Sequence, residues 1–231
     1  MNKRKIILPL LIVLVAVIIG GGIIFSRKTY KAPEITSTIL DTSKKINIRP
    51  ISNSDHIFGN PNADVVMVEY SDLECPSCQK FHVTMKKIMG EYAKSGTVAW
   101  VYRHFPIEKS HPKAKGAAIA SECVASIAGE SKFWEFIDKV FEGATNSLLP
   151  ENLRSIATEI GVDATKYDSC IILQKDNVTI NQSIADGEAI FKVDSNFATP
   201  YIIMISKNGL QTQLVGNQEL ADVLEIINLM K

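Results

Sequence analysis

The feature that most constrains the fold of this chain is the sequence Cys-Pro-Ser-Cys at Cys75–Cys78, which lies between two segments of different periodicity. The apolar run Val65–Tyr70 before it predicts a strand, and apolar residues spaced three and four apart after it predict a helix over residues 76–94. Proline suits the first turn of a helix, because the N–H group that it lacks has no intrahelical partner there. A thiol at the positive end of a helix has its pKa lowered from about 8.5 to about 3.5–7.5. The segment therefore predicts a reactive pair of thiols that can close a reversible disulfide.

The N-terminal part of the chain does not resemble a globular domain. Residues 6–25 carry no charged side chain and follow Lys3, Arg4 and Lys5. At about 1.5 Å a residue they can span a hydrocarbon core of about 30 Å, so we predict a single-pass anchor with residues 1–5 in the cytoplasm. A cleaved signal peptide is the alternative, although its apolar region is usually only about 7–15 residues long. Both alternatives export the rest of the chain, to the periplasm or the cell surface, where disulfides persist.

The remainder divides into a short connecting segment and one domain. Residues 26–50 lack sustained periodicity and are predicted to be a linker, which leaves residues 51–231 as a domain that can bury a substantial core. The chain has 25 Lys and Arg residues and 25 Asp and Glu residues. Because there is no basic excess, the composition gives no indication of nucleic-acid binding.

Periodicity beyond the cysteine pair predicts the fold class. One further strand is predicted over Thr97–Phe105, followed by a helical block over about 110–193. The apolar segments Tyr201–Ser206 and Leu210–Val215 flank an Asn-Gly turn and are predicted to form a hairpin. A C-terminal amphipathic helix is predicted over Asn217–Met230, with its first residue as the cap. This order of elements predicts an α/β thioredoxin fold with a helical insertion.

The chain resembles the DsbA-like thiol–disulfide oxidoreductases of the thioredoxin superfamily. The segment Glu69–Cys78 is similar to their active-site segment, and Tyr102–Pro106 and Thr199–Pro200 follow in the same order. The resemblance covers about residues 55–230. It implies an extracytoplasmic enzyme that forms disulfides in exported proteins by thiol–disulfide exchange and needs no cofactor. It also implies two kinds of partner, unfolded or reduced exported proteins and a membrane quinone-linked reoxidant that is DsbB-like or VKOR-like.

The predicted site consists of five residues. Cys75 would be the sulfur that attacks and is attacked, and the more buried Cys78 would close the disulfide. By the resemblance, Thr199 would offer backbone hydrogen bonds to a bound peptide, and a cis Pro200 would pack against the disulfide. Glu69 would be a buried acid that exchanges protons with Cys78, with its pKa raised towards neutrality by burial. An outward-facing glutamate on a strand edge is the alternative for Glu69.

Several neighbours of these residues also carry predictions. Glu74 and His82 are expected to be solvated, whereas Arg103 and His104 either are surface residues or border the site. The most oxidising members of the family carry a histidine before the second cysteine, where this chain has Ser77. Loss of that positive charge predicts a reduction potential between about −120 mV, the value of the archetype, and about −270 mV, the value of thioredoxin.

Two cysteines lie outside the Cys-Pro-Ser-Cys segment, in separate predicted helices of the insertion. Cys123 and Cys170 can each be a buried free thiol, but in an exported protein a disulfide between them is favoured. Four cysteines permit three pairings, and this one leaves the reactive pair intact. We therefore predict a structural Cys123–Cys170 disulfide.

Three other functions stay open at this point. A disulfide isomerase or reductant uses the same chemistry, but such proteins usually dimerise through an extra N-terminal domain, for which residues 26–48 are too short. A redox-inert peptide-binding chaperone would keep its activity without Cys75. A structural zinc module needs two more ligands, and the chain has no second CxxC and no His-x₃₋₅-His, so no metal site is predicted.

Overall fold

The structure is a computed structural model that describes residues 45–174 and 177–231, with only the backbone at positions 144 and 145. The predicted cytoplasmic residues 1–5 and the predicted anchor at residues 6–25 lie outside this part of the chain. Within it, no helix has both the length and the apolar character that a membrane span requires.

The described end of the predicted linker contacts the domain. Ile46 is 2% exposed, and its backbone N–H donates a hydrogen bond to Oε1 of Gln211 at 2.7 Å. The backbone N–H of Arg49 donates to Oδ1 of Asp186 at 2.9 Å. Residues 45–50 are therefore attached to the domain that follows them.

Five strands form a mixed sheet in the order β1-β3-β2-β4-β5. They are β1 His56–Phe58, β2 Val65–Ser71, β3 Val98–His104, β4 Tyr201–Ser206 and β5 Gln211–Val215. β2 and β3 are parallel, and the other three pairings are antiparallel. The sequence does not predict β1, because three residues are too few to show an alternating pattern. β3 is buried along its whole length, as expected for an interior strand of a covered sheet.

Seven α-helices lie in the described ranges, together with one 3₁₀ helix, Ala144–Leu148. They are α1 Pro76–Tyr92, α2 Ala114–Ala128, α3 Glu130–Glu142, α4 Pro150–Glu159, α5 Ala164–Leu173, α6 Val178–Val193 and α7 Leu220–Met230. Helices α2 to α6 stand between β3 and β4 in the chain. This order confirms the thioredoxin-like fold with a helical insertion.

The predicted start of α7 at Asn217 is wrong. The helix begins at Leu220, and Glu219 occupies the cap position without a side-chain capping bond. Nε2 of Gln218 donates instead to the carbonyl oxygen of Val215 at 2.7 Å. This bond ties the preceding turn to the end of β5, so the helix starts three residues later.

A disulfide joins two helices of the insertion. Cys123 on α2 is bonded to Cys170 on α5, 47 positions later, with an S–S distance of 2.01 Å. Trp100 and Trp134 are both buried, with ring centroids 4.7 Å apart. These contacts make both tryptophans part of the packing between the sheet and the insertion.

Arg103 and His104 are not surface residues, being 1% and 2% exposed. Nε of Arg103 lies 2.9 Å from Oδ1 of Asp55, and its Nη1 lies 2.7 Å from Oδ2 of Asp186. The surface expectation fails because β1 covers the edge of β3, which makes β3 an interior strand. Arg103 is thereby held in a buried ion-pair network, where paired charges are tolerated.

Candidate active site

The turn between β2 and α1 places the two cysteines. Cys75 is the cap residue of α1 with an extended backbone (φ −76°, ψ 122°), and Pro76 occupies the first turn. The N–H of Cys75 donates to the carbonyl oxygen of Asp72 at 3.1 Å, and the N–H of Glu74 donates to Oδ1 of Asp72 at 2.7 Å. This Asp-centred turn fixes the direction in which the chain enters the helix.

Asp72 is a site residue that the sequence analysis leaves out. It is 1% exposed, and its Oδ2 lies 2.8 Å from the backbone nitrogen of Ile107 and 2.8 Å from Nδ1 of His111. Its side chain thus ties the active-site turn to the segment that follows β3. The signal available in the sequence was an aspartate in a short stretch between a strand and a proline-started helix, which favours a turn.

The two thiols differ in accessibility. Both cysteines are free in the structure, Cys75 with 8% and Cys78 with 0% exposure. Sγ of Cys78 accepts a hydrogen bond from the backbone N–H of Asp72 at 3.4 Å. Only Cys75 is therefore placed for attack by, or on, an external sulfur.

The pKa of Cys75 is lowered from 9.0 to about 5. The largest cause is the hydrogen bond from the Cys78 thiol, which stabilises the thiolate more than burial penalises it. The side chain of Thr199 and the backbone N–H groups of Ser77 and Cys78 also donate to the sulfur. Amides of the first helical turn have no partner within the helix and stabilise negative charge at this position. Cys75 is therefore ionised at neutral pH.

The pKa of Cys78 moves in the opposite direction and lies well above its usual value. Burial is the main cause, and the negative charges on Cys75 and Glu69 add to it. Cys78 therefore holds its proton at neutral pH. The site therefore contains one thiolate and one protonated thiol in neighbouring positions. Ordered disulfide exchange requires this difference between the two sulfurs.

The Thr199–Pro200 peptide bond is cis, in agreement with the expectation from the resemblance. Sγ of Cys75 lies 3.5 Å from the carbonyl oxygen of Thr199. The chain reaches this point because β4 pairs with β2, which places Tyr201 opposite Tyr70. Both Thr199 and Pro200 are buried, so the loop before β4 forms one wall of the site.

Glu69 is buried and points into the fold. It is 1% exposed, and its Oε2 accepts a hydrogen bond from Nε1 of Trp100 at 2.9 Å. Burial raises the pKa of Glu69 from 4.5 to about 7, and hydrogen bonding from Trp100 only partly opposes this. The outward-facing alternative for Glu69 is thereby excluded, and its carboxyl group is able to gain and lose a proton near neutrality.

Two residues expected to be solvated are in contact with the insertion. Oε2 of Glu74 accepts a hydrogen bond from the backbone N–H of Lys113 at 2.7 Å. His82 is 5% exposed, and its Nε2 lies 2.7 Å from Oδ1 of Asp138. Both expectations fail for one reason, since the helical insertion covers the turn before α1 as well as part of α1 itself.

A small cleft adjoins Cys75. Its walls include the apolar side chains of Val140 and Leu148 and the polar side chains of Glu74 and Gln79. Leu148 also lines a larger cavity of about 750 Å³ in the insertion. The insertion therefore forms part of the surroundings of Cys75.

The chain matches known proteins over most of its described length. A family model described as thioredoxin matches residues 52–225. The structure is similar to the crystal structure of the thiol-disulfide exchange protein alpha-DsbA2 from Wolbachia pipientis, with a TM-score of 0.64 and 19% sequence identity over 78% of this chain and 89% of that one. At this identity the likeness concerns the fold.

Two curated relatives are longer than the matched region. A Rickettsia prowazekii protein named as a protein-disulfide oxidoreductase is 26% identical over 196 residues, which are 83% of this chain and 65% of that protein. The Na⁺/H⁺ antiporter NhaA 1 of Mycolicibacterium gilvum is 30% identical over 161 residues, which are 69% of this chain. The match spans only 25% of the antiporter's length.

Proposed function

The chain belongs to the thioredoxin family, and we propose that it is an extracytoplasmic, DsbA-like thiol–disulfide oxidoreductase that forms disulfides in exported proteins. The observation that carries this proposal is the pairing of an ionised Cys75, which is 8% exposed, with a fully buried and protonated Cys78. A structural cysteine pair has no need of opposite pKa shifts, whereas stepwise exchange depends on them.

The reaction begins from the oxidised enzyme with a Cys75–Cys78 disulfide. A substrate thiolate attacks Sγ of Cys75, the Cys75–Cys78 bond breaks, and Cys78 leaves as a thiolate that takes up a proton. A second substrate thiolate then attacks the substrate sulfur of the mixed disulfide and releases Cys75 as a thiolate. The substrate loses two electrons and gains a disulfide, and the enzyme gains two electrons and becomes the dithiol.

The low pKa of Cys75 favours the second step. A sulfur with a lower pKa leaves faster, and the Cys75 thiolate is stabilised by the helix amides and by Cys78. Stabilising the reduced form in this way makes the disulfide more oxidising. The direction of net transfer is therefore oxidation of the substrate rather than its reduction.

Glu69 is the proton donor and acceptor for Cys78 in this proposal. A buried acid with its pKa raised to about 7 can give a proton to the leaving Cys78 and later take it back. Thr199 and Pro200 hold the peptide next to the sulfur of Cys75, with the main chain before β4 available for hydrogen bonds to an extended substrate.

Reoxidation completes the cycle. The two electrons on the Cys75–Cys78 dithiol would pass to a membrane quinone-linked partner, DsbB-like or VKOR-like, as the resemblance implies. Residues 6–25 would anchor the enzyme in the same membrane as that partner, and this part of the proposal rests on the sequence alone.

The direct test is oxidation of a reduced, unfolded protein by the full-length chain. We expect stoichiometric loss of substrate thiols with the oxidised enzyme and none with Cys75→Ser. A Cys123→Ala/Cys170→Ala variant, which leaves the reactive pair in place, serves as the matched control and is expected to stay active. If Cys75→Ser supported refolding as well as the unaltered chain, the protein would be a peptide-binding chaperone and the proposal would fail.

A further inference from the structure

A second group of titratable side chains converges away from the cysteine pair. His56 on β1, His104 at the end of β3 and Glu122 on α2 are all buried. Oε1 of Glu122 lies 3.2 Å from Nε2 of His56 and 3.7 Å from Nε2 of His104. The three potential ligand atoms lie within 4.8 Å of one another. Nothing in the proposed disulfide chemistry uses these residues.

Two of the three spacings between these atoms are close to those of a tetrahedral metal site. Zinc binds imidazole nitrogen and carboxylate oxygen at about 2.0–2.1 Å, so ligands of a tetrahedral site stand about 3.3 Å apart. The two measured nitrogen–oxygen distances bracket this value within about half an ångström. Two imidazoles and one carboxylate also form a donor set that zinc prefers over calcium or magnesium, which favour oxygen ligands.

The surroundings prepare both imidazoles as ligands. Nδ1 of His56 lies 2.9 Å from Oε2 of Glu130. A carboxylate that accepts the Nδ1 hydrogen leaves the lone pair of Nε2 directed at the metal, which is the usual outer arrangement of zinc-bound histidines. Nε2 is the ring nitrogen of His104 that faces Glu122, and it also lies 3.1 Å from Oγ of Ser121.

Charge also favours a cation in this cluster. Two carboxylates face the ring of His56, with Oε1 of Glu122 at 3.2 Å from Nε2 and Oε2 of Glu130 at 2.9 Å from Nδ1. A divalent cation can offset the charge of both carboxylates, which lowers the cost of burying Glu122.

We propose that His56, His104 and Glu122 form a structural zinc-class site, with Glu130 orienting His56 from outside the ligand set. The ion would bind β1 and β3 of the sheet to α2 of the insertion. Water or another small ligand would complete the coordination, because the chain supplies three ligands. This site involves none of the residues that a CxxC-based zinc module would use.

The test uses Co²⁺ as a spectroscopic substitute for zinc. The full-length chain is stripped with a chelator, and its Cys75–Cys78 pair is oxidised so that no thiolate competes for the metal. We expect one Co²⁺ per chain, with the intense visible bands of tetrahedral coordination and complete displacement by Zn²⁺. Absence of saturable binding would overturn the proposal and leave the cluster as a histidine–carboxylate ion pair.

Variants locate the site. His104→Gln is expected to abolish the visible bands, and Glu130→Gln is expected to weaken binding about 10–100-fold. The Glu130 side chain is 46% exposed, so this variant carries the test if His104→Gln does not fold. His82→Gln is the matched control, because it removes another buried histidine that contacts a carboxylate. Equal loss of binding in His82→Gln and His104→Gln would contradict the assignment.

Discussion

The sulfur of Cys75 lies 3.5 Å from the carbonyl oxygen of Thr199, although 124 positions separate the two residues. The pairing of β2 with β4 creates this contact, since one strand leads into Cys75 and the other follows Thr199. A substrate sulfur bonded to Cys75 therefore lies beside the main chain at Thr199.

Replacing the buried cysteine should trap the reaction intermediate. In Cys78→Ser, the Cys75 thiolate can attack a disulfide of an oxidised substrate, which releases one substrate thiolate and leaves a mixed disulfide that no internal thiol can resolve. We expect covalent enzyme–substrate adducts on non-reducing gels with Cys78→Ser and none with Cys75→Ser. Adducts of equal amount in both variants would mean that the buried sulfur is accessible, against its 0% exposure.

Titration of the reduced enzyme should reveal the Cys75 thiolate. We expect thiolate absorbance in the ultraviolet to appear with a midpoint near pH 5, and to be absent in Cys75→Ser. The folded pKa lies below the unfolded value of about 8.5, so the thiolate contributes stability that is fully present above about pH 8.5. This contribution is lost as the pH falls through about 5. The unfolding free energy of the reduced form, relative to that of the oxidised form, should therefore be larger at pH 8 than at pH 4.

Glu69→Gln should change both pH dependence and stability. The folded pKa of about 7 lies above 4.5, so wild-type stability falls as the pH rises between these values. The amide keeps an acceptor for Trp100 but cannot ionise, so the variant should be more stable at pH 8 by up to about 3 kcal/mol and similar at pH 4.

The same variant should slow the steps in which Cys78 gains or loses its proton, by about 100-fold if Glu69 is the proton carrier. The pH dependence near 7 should disappear from the rate of substrate oxidation. Glu74→Gln is the matched control, because it neutralises a carboxyl group next to Cys75 without affecting Cys78. An unchanged pH profile in Glu69→Gln would leave Glu69 with a packing role only.

The Cys123–Cys170 disulfide should stabilise the insertion without taking part in exchange. A cross-link between residues 47 positions apart is worth about 4 kcal/mol in the chain-entropy model. To isolate it, unfolding in denaturant is compared with and without reductant in a Cys75→Ser/Cys78→Ser background. We expect a loss of about this size on reduction, and a change below about 1 kcal/mol would contradict a structural role.

The sequence predicts the parts of this fold whose signals are local. The proline-started helix after Cys75, the hairpin at the Asn-Gly turn and the helical block all follow from neighbouring residues. The burial of Glu69 and the proximity of Thr199 to Cys75 are different, because both depend on strand pairing. Only the resemblance to a known family made them predictable.

The failures at His82, Glu74 and Arg103 share one physical cause, which is coverage by distant segments. His82 and Glu74 look solvated on their own elements, yet α3 and the start of the insertion lie over them. Arg103 is buried because β1, a strand of three residues, covers the edge of β3. At Asp72 the sequence indicates only a turn. The contacts of its side chain with Ile107 and His111 depend on tertiary structure and have no local signal.

A stabilised thiolate at Cys75 should make the Cys75–Cys78 disulfide an oxidant, and the reduction potential of this pair measures that property. Equilibration of the full-length chain with glutathione buffers of known ratio gives this value. We predict about −150 mV, less oxidising than about −120 mV because Ser77 carries no positive charge. A potential below about −250 mV, close to that of thioredoxin, would contradict the account and identify the protein as a reductant.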